Sequence, residues 1–284
     1  MEGVPGDYPS PSGSGGYVLP TDEIVLDRAL EVAIDVARQA GALLRERWGR
    51  VLRVEHKGEI NLVTEADREA ERLIVERLRA AFPHHRVLAE EGTNHDGEAE
   101  YRWIVDPLDG TTNYARGYPM FCVSVALERA GRVALGVVYQ PILDELFVAR
   151  RGGGAWLNGD RLRVSTTSGL EKAFLATGFP YDRALFDEPL RQWSAFSYRA
   201  LAVRRDGAAA LNLCYVAAGR FDGFWERPLQ PWDMAAGSLM VEEAGGQVSD
   251  FRAAGDFLRR REIVASNGRL HSAMLAVLAE TATS

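Results

Sequence analysis

A chain of 284 residues, 46% apolar and 26% charged, has the composition of an ordinary globular protein and can bury a large core in one domain or two. Its net charge of −7 gives no basic footprint for nucleic acid, and a phosphate ligand would need local cations or metal ions to offset the repulsion. Cys122 and Cys214 lie far apart within apolar runs, as small buried hydrophobes of a reducing compartment would, and the five histidines show no ligand spacing, which argues against structural zinc.

Residues 1–20 hold four prolines, five glycines and three serines, a composition that predicts a flexible tail. No stretch approaches the roughly twenty apolar residues of a membrane span, and the N-terminus lacks a signal-peptide pattern, so a cytoplasmic protein is expected. Thr21-Asp22-Glu23 opens a helix. Leu26, Leu30, Ala33, Ile34, Ala37, Gly41 and Leu44 then recur at helical spacing for about seven turns, to Trp48. Residues 51–54 form a short strand candidate, and Lys57-Gly58-Glu59-Ile60-Asn61 a polar turn. Thr64 and Asp67 make a variant of the capping box before a helix that carries Ala70, Leu73, Ile74, Leu78 and Ala81 inward and stops at Phe82-Pro83. Asp67 therefore has a structural reading as a cap and a functional one as a carboxylate that orients a water.

Val87-Leu88-Ala89 ends in Glu90-Glu91. Neighbouring side chains of an extended chain point to opposite faces, so only one of these acids can face a site, and a solvated pair is the plainer reading. Beyond a polar link, Trp103-Ile104-Val105 runs into Asp106-Pro107-Leu108-Asp109-Gly110-Thr111-Thr112-Asn113. That pattern predicts a strand emptying into a loop, with Asp106 and Asp109 on the loop and their oxygens converging. Proline, glycine and aspartate also make a good turn, so the stretch reads equally as a turn or as half of a Mg²⁺–phosphate site.

Residues 121–128, 132–140 and 145–150 read as an antiparallel meander. Gly152-Gly153-Gly154 is a hairpin bend rather than a phosphate loop, because no Gly-Lys-Ser/Thr follows. Asn158-Gly159 marks a type I′ turn before a strand at 162–164. Past Ser165 strands and helices alternate: a strand at 173–177, a loop from Gly178 to Tyr181, a helix at 208–218 closed by Gly219, and a strand at 221–225 ending on Glu226. A helix opened by Trp232-Asp233 and ended by Gly245-Gly246 follows, then strands at 247–249 and 263–265 and a helix at 270–278. The change of pattern places a boundary near Ser165, after a tail (1–20) and a first part (21–164). Each acid has a local explanation. Glu90, Asp106, Asp109, Glu226 and Asp233 nevertheless all lie where one element gives way to the next, and α/β sites assemble at such ends.

The wording is also familiar. Asn61-Leu62-Val63-Thr64-Glu65-Ala66-Asp67, Glu90-Glu91-Gly92, the run from Trp103 to Asn113, and Trp232-Asp233-Met234-Ala235-Ala236-Gly237 together resemble the inositol monophosphatase family of Mg²⁺-dependent, lithium-sensitive phosphomonoesterases. Lesser matches are Leu157-Asn158-Gly159, residues 207–213, and Glu226 placed seven residues before Asp233; the resemblance runs from about residue 22 to 275. It implies a fold of the α/β (α+β) class, a layered α-β-α-β-α sugar-phosphatase-like architecture with an N-terminal α+β half (21–164) that carries metal- and phosphate-binding residues and a C-terminal α/β half (165–284) that contributes Glu226 and Asp233, and a homodimer. By position it implies Glu90, Asp106, the Leu108 carbonyl, Asp109 and Asp233 as metal ligands, with Asp106 bridging two ions and Glu91 turned away. Two to three Mg²⁺ per site follow from the same likeness. Asp67, Thr111 and Glu90 become the catalytic residues, the first two polarising the attacking water. Gly110 and Thr111 would hold phosphate through backbone N–H groups, while Asp109, the backbone at Ala209, and Glu226 would meet the polyol.

A water made acidic by Mg²⁺ would then attack phosphorus in line, the second ion neutralising the leaving alkoxide with no covalent intermediate. The expected substrate is myo-inositol monophosphate or a related polyol or sugar monophosphate, with Lys57 and Arg205 as candidates for anion handling or plain surface charge. Histidinol phosphate and fructose 1,6-bisphosphate stay open as alternatives, whereas nucleotide phosphatases of the group carry insertions not seen here. A regulatory partner of the transcription machinery, which some bacterial members resemble, is the alternative from another class. The intact set of metal-position acids argues against a non-catalytic role, and no nucleic-acid or membrane partner is expected.

Overall fold

The computed structural model describes residues 21–49, 54–56 and 62–282. The tail, the turn with Lys57 and most of the strand candidate at 51–54 lie outside the described residues. Helix α1 (Thr21–Arg47) buries Ala29, Ala33, Val36, Ala37, Ala40 and Leu44 along one stripe, as its period requires. Strands β1 (Val54–His56) and β2 (Leu62–Thr64) pair antiparallel and lead into α2 (Glu65–Ala81), where both bonds of the Thr64–Asp67 capping box are made.

Seven strands then form one sheet in chain order: β3 (His85–Ala89), β4 (Glu98–Asp109), β5 (Cys122–Arg129), β6 (Arg132–Gln140), β7 (Glu145–Arg150), β8 (Gly154–Leu157) and β9 (Asp160–Arg161). Only β3–β4 is parallel; the rest is the expected meander. A short helix α3 (Thr111–Ala115) sits between β4 and β5. The following elements are β10 (Phe174–Thr177), α4 (Asp187–Ser197), β11 (Ala202–Arg204), α5 (Ala209–Ala217), β12 (Gly223–Glu226), α6 (Pro231–Glu243), β13 (Gln247–Ser249), α7 (Phe257–Arg260), β14 (Ile263–Ser266) and α8 (His271–Thr281). Their five strands make a second sheet in the order β11-β10-β12-β14-β13, parallel at β11–β10–β12 and antiparallel beyond.

Alternation along the strands sorts the core into layers. Val105, Val123, Val125, Leu127 and Val137 face α1 and α2, while Ile104, Ala126, Val138 and Phe147 face α5 and α6. Helices α5 and α6 also cover Ala176, Phe224 and Ala265 of the second sheet, whose other face (Leu175, Trp225, Val264) packs on Phe196 of α4 and Met274 of α8. The result is α-β-α-β-α. Small residues make the middle layer thin: a Cβ on Gly136 of β6 would lie 2.9 Å from Ala236 Cα, and one on Gly237 would strike Leu213 of α5. Ala236 and Gly237 thereby set α6 tightly between sheet and helix, and α6 carries Asp233 at its start. Among the described residues no helix is long and apolar enough to cross a membrane.

Three expectations need correction. Asp106 and Asp109 belong to β4, not to a loop: Asp106 pairs with Ser124 and Asp109 with Cys122, and a bulge between them absorbs Pro107-Leu108. Residues 162–164 are not a strand; the pairing partner of β8 is the two-residue β9. Helix α4 and the edge strand β11 were not anticipated, because α4 buries only Pro189, Gln192 and Phe196 and β11 has three residues, too little for a period to emerge.

Candidate active site

The ends of β3, β4 and β12, and the first turns of α3, α5 and α6, surround one cavity of about 580 Å³. Glu90, Asp106, Leu108, Asp109, Gly110, Thr111, Ala209, Glu226 and Asp233 all line it, as does Arg205. Residues more than a hundred positions apart therefore share one space.

The bulge gives β4 its chemistry. Leu108 N–H donates to Asp106 Oδ1 at 3.0 Å, a local turn that holds the Asp106 carboxylate over its own backbone. Gly110 follows at φ +92°, where a Cβ would meet the Met120 carbonyl at 2.8 Å, so only glycine lets the chain swing into α3. The Thr111 hydroxyl lies 2.9 Å from Asp67 Oδ1 and 3.1 Å from the Leu108 carbonyl, two acceptors for its single proton. Asp67 does not line the cavity. It sits behind Thr111, nearly inaccessible, its other oxygen taking the Thr64 N–H at 2.8 Å and the Thr64 hydroxyl. Burial raises its pKa, against the lowering effect of those bonds.

Asp109 caps the start of α5, accepting from Ala210 N–H at 2.8 Å and Ala209 N–H at 3.2 Å, with Cys122 Sγ 3.6 Å away. Asp233 stands three residues into α6 behind Pro231 and accepts the Gln230 N–H at 2.7 Å. Both carry pKa values raised from 3.8 to about 7, first by burial; for Asp233 the Asp109 charge adds to it. Asp106 is pushed well above the carboxylate range by burial and then by Glu90, Asp109 and Asp233. Glu226 is pushed up likewise by burial, Asp233 and Asp109, with Arg205 pulling the other way. Crowding and burial favour the protonated forms of these acids, and a cation among them would favour the charged ones.

The donor set fits a hard divalent ion: carboxylate oxygens and one strand carbonyl, with no imidazole among the described residues that line the cavity. Among the described residues no three acidic, histidine or cysteine side chains close into a ready coordination shell, so the fit lies in the donors and their mutual repulsion.

Sequence reasoning passed over several residues. Glu71, fully buried on the inward face of α2, accepts Glu91 N–H at 2.6 Å and Thr93 N–H at 2.9 Å, fixing the turn that carries Glu90. An acid at an inward helical position was the available signal. Asn113 donates to the Met120 carbonyl at 2.6 Å and the Asp206 carbonyl at 2.7 Å, tying the α3 turn to the approach to α5. Gly178, Phe179, Tyr181 and Arg261 also line the cavity, and nothing in their local sequence marks them.

The model of the inositol monophosphatase family matches residues 25–283. The chain belongs to the inositol monophosphatase family. It is a phosphatase by that membership, of a family that is generally metal-dependent. It is 44% identical over 255 residues to a Synechocystis protein named inositol-1-monophosphatase, covering 89% of each. It is 46% identical over 257 residues to a Pseudomonas aeruginosa protein named Nus factor SuhB, covering 88% of this chain and 95% of that one. Among solved structures, a Thermotoga maritima IMPase superposes with a TM-score of 0.83 at 40% identity, over 89% of this chain and 97% of the other.

Proposed function

We propose that this phosphatase hydrolyses the monophosphate of a small polyol, myo-inositol monophosphate or a related sugar phosphate, using Mg²⁺. The observation that carries the reading is the placement of Glu226. Its carboxylate stands in the wall of an acidic cavity with no hydrogen-bond donor among the described residues, an acceptor left for substrate hydroxyls. Glu90, Asp106, the Leu108 carbonyl, Asp109 and Asp233 would hold the metal. Mg²⁺ so held supplies charge neutralisation for the phosphoryl group and the departing alcohol and acidifies the water.

The chain's own residues do the rest. Backbone N–H groups of Gly110 and Thr111, at the start of α3 where no intrahelical acceptor exists, receive phosphate oxygens. Thr111 meets the attacking water and passes a proton toward Asp67, whose raised proton affinity suits an acceptor and which can act only through that hydroxyl. Asp109 and Glu226 orient the polyol. The Ala209 N–H is already given to Asp109, so a substrate hydroxyl would take it by exchange.

Phosphate release should be followed across inositol 1-phosphate, sugar monophosphates, histidinol phosphate and fructose 1,6-bisphosphate, with and without Mg²⁺ and Li⁺. Mg²⁺-dependent, Li⁺-inhibited release with inositol phosphate preferred is the expected result; no Mg²⁺-dependent release from any ester would end the proposal.

The likeness to a Nus factor supports a second role as a partner of transcription proteins, alongside hydrolysis. A homodimer is part of the same reading, and Leu190, Tyr198 and Leu201 are exposed apolar residues that a partner copy would cover. A solution mass of one chain would count against it.

A further inference from the structure

Strand β10 pairs Thr177 with Trp225 of β12 in parallel register, and the Thr177 hydroxyl donates to the Trp225 carbonyl at 2.6 Å. The next residues along the two strands are Gly178 and Glu226, both on the cavity wall. A Cβ built on Gly178 would fall within the Glu226 carboxylate, and the three nearest atoms all belong to that group. Gly178 is not among the glycines with a left-handed backbone, so its conformation makes no demand for glycine. The demand is steric and comes from one flexible side chain. Without a donor of its own, the Glu226 carboxylate rests where it does because Gly178 leaves the space empty.

The neighbouring residue secures the other side. The Phe179 ring carries the Arg205 guanidinium 5.5 Å from its centroid, and packs in turn against Phe186 and Trp193 with centroids 5.6 and 6.0 Å away. Arg205 makes no ion pair among the described residues, and its charge acts on Glu226. Consecutive residues thus hold both the acid that would read hydroxyls and the cation beside it.

We propose that Gly178-Phe179 is the specificity element of this site: Gly178 admits the Glu226 carboxylate, Phe179 seats Arg205 next to it, and together they set the preference for alcohols rich in hydroxyls. The inference rests on the polyol-phosphatase reading above. Both are positioning residues, acting through Glu226 and Arg205.

The test is kcat/KM for inositol 1-phosphate relative to phenyl phosphate, which has no hydroxyl, at saturating Mg²⁺. Wild type, Gly178→Ala, Phe179→Leu, Glu226→Gln and the Gly178→Ala/Glu226→Gln double variant are compared. Wild type prefers the inositol ester. Gly178→Ala lowers that ratio about tenfold, through KM, because a charged hydrogen-bond acceptor is displaced. It adds nothing on the Glu226→Gln background, since both changes act on one carboxylate. Phe179→Leu lowers the ratio several-fold without touching Glu226 sterically, and serves if Gly178→Ala fails to fold. Equal losses on both esters, or additive losses in the double variant, overturn the inference. A wild type that prefers inositol phosphate while both single variants keep the preference overturns the inference alone. A wild type without preference overturns the polyol reading and the inference together.

Discussion

Asp109→Asn tests whether the site is electrostatically strained until a cation arrives. Burial first, with a smaller push from Glu90, raises the Asp109 pKa from 3.8 to about 7 despite the bonds from Ala210, Cys122 and Ala209. A carboxyl whose folded pKa exceeds its unfolded one favours the fold below the unfolded value, and that advantage is lost as pH rises through the folded value. The interval from 3.8 to about 7 corresponds to roughly 4 kcal/mol of destabilisation above pH 7, at about 1.36 kcal/mol per unit. Asparagine carries no charge to bury, but Ala209 and Ala210 donate to different oxygens of the carboxylate, so its single carbonyl keeps one of these N–H groups and its amide NH₂ faces the other, which takes back about 1–3 kcal/mol of the gain.

In urea unfolding with EDTA at pH 8, the variant should therefore be more stable than wild type by about 1–3 kcal/mol. The gap should shrink at pH 5. Mg²⁺ at about a thousand times its Kd should reverse the order, because it adds about 4.1 kcal/mol to the form that binds it. A variant less stable than wild type in EDTA at pH 8 would refute the reasoning: the carboxylate would then be worth more to α5 than its burial costs.

Asp106→Asn should abolish nearly all phosphate release and the stabilisation by Mg²⁺, and wild-type turnover at saturating Mg²⁺ would show that Asp106 holds no metal. Glu71→Ala should destabilise the protein by roughly 2–4 kcal/mol, leaving the Glu91 and Thr93 N–H groups without their acceptor. It should also raise the Mg²⁺ concentration for half-maximal activity, as the turn bearing Glu90 loosens; a titration curve that does not move would confine Glu71 to the core. His271 Nδ1 lies 3.0 Å from the Ser266 hydroxyl and Nε2 2.9 Å from the Ser249 hydroxyl, and burial lowers its pKa below 6.5. The folded state then binds fewer protons than the unfolded one, so this group withdraws stability as pH falls through 6.5. Its imidazole NMR titration should have a midpoint below 6.5, and a midpoint at or above 6.5 would contradict the burial argument.

The sequence by itself determined most of the elements and the identity of the acids. Periods of two and of three to four, the Thr64–Asp67 cap, Asn158-Gly159 and Gly245-Gly246 act through hydrogen bonds and steric limits within a few residues, so they are legible without tertiary contacts. Glu90, Asp106, Asp109, Glu226 and Asp233 were legible as residues at element ends for the same reason. What only the tertiary structure decided is everything that depends on two layers meeting. Pairing with β5 keeps Asp106 and Asp109 on a bulged strand instead of a loop. Packing of α6 against Gly136 delivers Asp233 to acids more than a hundred residues earlier, and the resulting burial raises their pKa values. Asp67 sits behind Thr111, Glu71 holds the turn after β3 from another element, and Gly178 leaves room for a carboxylate on a different strand. Burial, desolvation and steric room belong to the assembled layers, and no local pattern in the chain encodes them.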